Sequence, residues 1–124
     1  MNLDKIFKAK SIAVIGASRQ KGSDGYALYK NAKQSKAKRA VYAVNIKRKK
    51  IQGDVAFKSV TDIDSKIDLA VIATPAKTVP GGIRECALAK IKAVMIVSAG
   101  FSETGREGER LFDDIESLAH EYGI

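Results

Sequence analysis

Residues 11–25, SIAVIGASRQKGSDG, run from an apolar stretch into a loop with glycine at 16, 22 and 25, and then into a helical pattern. A strand that leaves through glycines and feeds a helix suits a phosphate. Glycines let backbone N–H groups close in on an anion, Ser18 and Ser23 have hydroxyls to donate, and the helix adds the positive end of its dipole. A second candidate is NIKRKK at 45–50, where Asn45 is followed by Lys47, Arg48, Lys49 and Lys50. Bond-making groups are harder to find. The single cysteine, Cys86, falls on one helical face with Val79 and Ile83 and reads as a small buried hydrophobe. The single histidine, His120, lies off the apolar stripe of the last helical pattern and reads as a solvated side chain. No acid–base pair or nucleophilic triad is visible, and one cysteine with one histidine makes no metal centre. The expected chemistry is binding, with no catalytic and no metal-ligating residue.

The glycine spacing narrows the ligand. The dinucleotide fingerprint G-x-G-x-x-G sets glycines at positions 1, 3 and 6, whereas Gly16, Gly22 and Gly25 make a longer loop. An NAD site also wants an acid at the end of the second strand for the ribose hydroxyls. Here that place holds Asn45 and then four cations, which suits a phosphorylated ribose. NADP and coenzyme A both carry one. A turn-rich connection without a ligand is the alternative for the loop. A solvated surface loop or a nucleic-acid patch is the alternative for the basic run.

The elements that must position these residues alternate. A short opening helix is expected at 3–9, then a strand at Ser11–Ile15, a helix from Gly25 to Ser35 and a strand at Ala40–Val44. An irregular basic stretch to Gly53 and an extended or loop segment to Ser59 follow. Asp68–Ala73 reads as a third core strand, near-continuously apolar as befits cover on both faces. Thr78 is placed to cap a helix reaching about Lys90, with Pro80 in its first turn. Ala93–Val97 is a fourth core strand, and TGRE at 104–107 has the form of a capping box opening a final helix. This order predicts a Rossmann-like, doubly wound parallel sheet in three α/β/α layers. A further strand would be expected after Tyr122-Gly123-Ile124, so the fold reads as one domain, 1–124, cut before its last strand.

Composition sets the frame. With 124 residues and 45% apolar content, one ordinary domain core is expected, without disulfide staples. No apolar stretch approaches the roughly 20 residues of a membrane span, and MNLDKIFKAK lacks the apolar region of a secretory signal. A cytoplasmic location is expected. The net charge of +8 is concentrated: residues 25–53 hold nine basic side chains and no acidic one.

The ordered motifs resemble the CoA-binding domain of NDP-forming acyl-CoA synthetases, the ADP-forming acetate–CoA ligase group related to the succinyl-CoA synthetase α subunit. The resemblance rests on K-S-I-A-V-I-G-A-S at Lys10–Ser18, G-S-x-G at Gly22–Gly25 and V-Y-x-V-N-x-K at Val41–Lys47. It continues through I-x-G at Ile51–Gly53, D-L-A-V-I-A-T-P-A at Asp68–Ala76 and S-A-G-F-S-E-x-G at Ser98–Gly105. By that resemblance, Gly16, Ala17, Ser18, Gly22, Ser23 and Gly25 cradle the CoA pyrophosphate, while Asn45 and Lys47 face the adenosine and its 3′-phosphate. Thr74, Pro75, Ala76 and Val79 would flank the nucleotide, and Ser98, Ala99, Gly100 and Phe101 the path to the thiol. It further implies that phosphate relay through a histidine, and ATP-grasp chemistry, belong to other domains or subunits. The expected partners are therefore CoA and the rest of such a synthetase, not a membrane or nucleic acid, with self-association through the open sheet edge. Departures are Ala43 and Ile46 where prolines are usual, QSKAKRA where glycines usually end the first long helix, and Ala87 and Lys90 where small glycines are common. An NADP-binding oxidoreductase fragment and a basic nucleic-acid-binding domain remain the competing readings.

Overall fold

The computed structural model describes residues 9–35, 39–97 and 120. Strand β1 (Ser11–Ile15) is followed by helix α1 (Asp24–Gln34), β2 (Ala40–Val44), β3 (Lys50–Ile51) and β4 (Asp54–Phe57). A 3-10 turn at Val60–Asp62 leads to β5 (Leu69–Ile72), and a second at Ala76–Thr78 leads to helix α2 (Val79–Leu88) and β6 (Val94–Ile96). The strands form one sheet in the order β3-β4-β2-β1-β5-β6. All neighbours are parallel except β3 and β4, so the sheet is mixed rather than wholly parallel.

β1 is central, with Ile15 opposite Val44 on one side and Ile72 on the other. Its side chains alternate between two cores, as period-2 geometry requires. Ile12 and Val14 pack with Tyr29 of α1, Leu69 and Val71. Ala13 and Ile15 pack with Ile72 and with Val79, Ile83 and Cys86 of α2. This gives the helix–sheet–helix layering expected from the alternation of elements.

Residues 45–53 depart from expectation, whereas the extended segment expected before Ser59 is present as β4. In place of an irregular stretch, β3 and β4 make a hairpin through Gln52 and Gly53, both with positive φ (50° and 85°). β4 then extends the parallel sheet, pairing Ala56 with Ala43 and Phe57 with Val44. Two-residue strands carry no readable period, and Gln-Gly is not the Asn-Gly pair that marks such a turn. The non-proline residues Ala43 and Ile46 leave β2 intact. Thr78 also differs from its expected role. Its hydroxyl donates back to the Pro75 carbonyl (2.6 Å) and caps no helical amide, because the chain enters α2 through a 3-10 turn. The expected helices at 3–9 and from 104 lie outside the described residues, apart from Ala9, which is buried and not helical, and His120, which is helical and exposed. Among the described residues, no helix is long and apolar enough to cross a membrane.

Candidate functional site

After β1 the chain turns toward β2 by way of α1, while the connection after β5 runs through α2 to β6 on the opposite side. A crevice opens where such connections diverge. Hydrogen bonds set its rim: Ala73 N–H donates to the Ile15 carbonyl and Val97 N–H to the Ile72 carbonyl, each at 2.8 Å.

The three loop glycines answer three different demands. Gly16 donates to the Val44 carbonyl (2.9 Å), and a Cβ there would meet the Ala73 carbonyl oxygen at 2.8 Å. Gly22 has open space around it but a φ of +90°, so its backbone conformation demands glycine. At Gly25 a Cβ would fall 1.9 Å from the Gly16 carbonyl oxygen. Gly25 is therefore what lets the first turn of α1 sit against the end of β1, bringing its N-terminus to the crevice.

Ser23 caps that helix. Its hydroxyl accepts from the Tyr26 N–H (3.2 Å) and donates to the Gln20 carbonyl (2.7 Å). Its donor is thus engaged, whereas Ser18 accepts from the Gln20 N–H (3.0 Å) and retains its own hydrogen. The Asp24 and Gly25 amides come too early in α1 to have helical acceptors. Together with the helix dipole they make an anion-favouring end.

The crevice holds about 250 Å³ and is lined by Gly16, Ser18, Ser23, Asp24, Gly25, Ala73, Thr74, Pro75 and Val97. That is below the roughly 300–1,000 Å³ of a pocket enclosing a whole small ligand. It suits a diphosphate, with the rest of a nucleotide lying along the surface. Asp24, Ala73 and Val97 were not among the expected residues; their presence follows from where the strand ends and the helix start meet.

Other expected residues are placed differently. Ala17 is fully buried, so it offers a ligand backbone at most. Ala76 begins the 3-10 turn beyond the crevice rim. Val79, the first residue of α2, is fully buried in the core and is not among the residues lining this crevice. The helical stripe it shares with Ile83 and Cys86 governs its orientation. Ser98, Ala99, Gly100 and Phe101 lie outside the described residues.

Asn45 works as a joint. Its Nδ2 donates to the Ala17 carbonyl (3.0 Å), while Oδ1 accepts from the Lys47 and Arg48 amides (2.8 and 2.9 Å). One side chain thereby ties the glycine loop to the start of the basic run, at the carboxyl end of the strand beside β1. The side chains of Lys47, Arg48, Lys49 and Lys50 are exposed. From the hairpin, Gln52 Nε2 donates to the Ser18 and Tyr26 carbonyls (3.0 and 3.3 Å), a contact with no sequence signal. Cys86 is fully buried, and its thiol is pushed up to about 12 by burial and secondarily by the charge of Glu85. It is no nucleophile at neutral pH.

Comparison with known proteins gives a consistent set of relatives. Residues 10–124 match the family model described as "CoA binding domain". The chain is 42% identical to the ADP-forming acetate–CoA ligase II subunit alpha of Pyrococcus furiosus, over 98% of this chain and 26% of that protein. A solved structure from Pyrococcus horikoshii OT3, PH0766, superposes with a TM-score of 0.91 at 45% identity, covering 98% of this chain and 28% of its own. The dinucleotide forming acetyl-coenzyme A synthetase 1 of Ca. Korarchaeum cryptofilum, in complex with phosphate and ADP, superposes with a TM-score of 0.89. It is 32% identical, covering 99% of this chain and 26% of its own. The chain thus spans about a quarter of the length of these relatives.

Proposed function

Because the chain belongs to the CoA binding domain family, we propose that residues 1–124 bind coenzyme A as the nucleotide-binding module of an NDP-forming acyl-CoA synthetase. One observation carries this reading: at the divergence of the sheet's connections, the glycine loop and the N-terminus of α1 line a diphosphate-sized crevice with Thr74 and Pro75. The diphosphate lies against the Ser18 hydroxyl and the first amides of α1. The 3′-phosphate lies by Lys47 and its neighbours, which Asn45 holds next to the loop. The thiol end leaves the crevice past Val97, which follows β6. In this reading acyl activation belongs to other domains or subunits; among the described residues the cysteine is buried and the histidine is exposed on a helix.

Calorimetric titration with CoA, dephospho-CoA, NADP and ADP tests this. CoA is expected to bind most tightly, and dephospho-CoA more weakly by an amount that shrinks as salt is added. Lys47→Ala should weaken CoA by roughly several-fold to tenfold and barely alter dephospho-CoA, the range spanning a sheltered and an exposed charge contact. Tighter binding of NADP than of CoA would overturn the assignment, and so would steeply salt-dependent binding to nucleic acid with none to CoA.

A further inference from the structure

Gln52 occupies the first central position of the β3–β4 turn at φ +50°, with Gly53 following at +85°. Two consecutive left-handed residues make a type I′ turn, whose first position favours asparagine, aspartate or glycine. Glutamine has no such preference, and a strained backbone residue beside a binding site directs attention to what holds it there. The answer is its side chain. Both hydrogens of Nε2 are used, one toward the Ser18 carbonyl at 3.0 Å and one toward the Tyr26 carbonyl at 3.3 Å. Ser18 belongs to the glycine loop and Tyr26 to the first turn of α1. Asparagine would suit the turn better but is one methylene too short to make the same reach.

The neighbouring carbonyl, on Ala17, is held by Nδ2 of Asn45. Two successive loop carbonyls are therefore engaged by side-chain amides from segment 45–52, and neither Asn45 nor Gln52 lines the crevice. The negative ends of those peptide dipoles are thus kept off the face that a phosphate would approach. A carbonyl swung into the crevice would repel that phosphate.

We propose that Gln52 is a positioning residue for diphosphate binding. It holds the Ser18 carbonyl away from the crevice and keeps the glycine loop in its anion-receiving form. This rests on the coenzyme A reading above, and it adds a residue that never touches the ligand.

Gln52→Asn and Gln52→Gly separate this role from service to the turn, since both suit a type I′ turn and neither reaches Ser18. The expected result is a melting temperature equal to or above that of the wild type. Affinity should fall roughly three- to tenfold, the range of one or two hydrogen bonds, and equally for CoA and dephospho-CoA because both carry the diphosphate. Amide hydrogen exchange at 17–25 should quicken in the ligand-free variants. Unchanged affinity in both variants, or a loss that appears only with a lowered melting temperature, would overturn the inference alone. A wild-type chain that binds neither ligand would overturn the coenzyme A reading and this inference with it.

Discussion

Among the described residues, the weak acids Cys86 and Tyr29 sit in the interior, and both are held in their neutral forms. The Cys86 thiol rises from 9.0 to about 12, first through burial and then through the charge of Glu85. The Tyr29 phenol is raised first by burial, then by donating to Asp54 at 2.7 Å, then by the charge of that carboxylate. Asp54 moves the opposite way. The hydroxyl of Tyr29 is the largest cause lowering its carboxyl, and Lys33 at 3.4 Å adds to it. A group raised on folding contributes stability that is present below its unfolded value and lost as pH rises toward its folded one. Urea melts should therefore show a decline that begins near pH 9, where the unfolded thiol starts to ionise, and steepens once the unfolded phenol does too. Cys86→Ala should remove the first part of that decline; a wild type and a variant with parallel profiles from pH 8 to 11 would contradict this. Cys86 as a hydrophobe was legible from its helical spacing with Val79 and Ile83. The same stripe places Val79 in the core, where its side chain is fully buried. Periodicity reports a local packing demand, whereas a role carried over by resemblance depends on where the helix lies.

Among the elements, α2 shows how a strained end can be read. Lys90 has φ +61°; its N–H donates to the Ala87 carbonyl, and the Ile91 N–H reaches back to Cys86. That is the Schellman termination, in which the left-handed position is usually glycine. Lysine stands there with Ile91 buried just beyond it, so the bend is held by packing despite its backbone. Lys90→Gly should stabilise the fold by about 0.5–1 kcal/mol, the relief of left-handed strain less the extra freedom of glycine in the unfolded chain. A thermal melt that is unchanged or lower would count against this account of the helix end. The sequence departure at this position was visible in advance; the conformation that makes it matter was not. Strands show the same division. β1 and β2 have the expected bounds because long apolar runs flanked by polar residues define them. The β3–β4 hairpin escaped notice because its pairing depends on Asp54 meeting Tyr29 and on Gln52 meeting the glycine loop, contacts between residues more than 20 positions apart.

At the scale of the whole molecule, charge and topology coincide at one end of β2. Of the nine basic residues between 25 and 53, Lys47, Arg48 and Lys49 directly follow the carboxyl end of β2 on the crevice side, whereas Arg39 precedes β2 at its other end and Lys33 is paired with Asp54. Cations on the crevice side attract a polyanion and orient it along that side. The glycine loop was legible as the connection that brings a helix N-terminus to the crevice, because a strand, three glycines and a helix follow directly in sequence. Its walls were only partly so, since Ala73 and Val97 reach the rim through strand order alone. In the proposed binding mode, coenzyme A occupies this crevice with its diphosphate on the loop and its 3′-phosphate by the basic run. Backbone amide shifts of isotope-labelled protein during CoA titration test that mode directly. The predicted result is two groups of perturbed amides, the larger at 16–25 and a second at 45–50, with dephospho-CoA retaining the first group and losing the second. Saturation by CoA with the amides of 16–25 unmoved would contradict it.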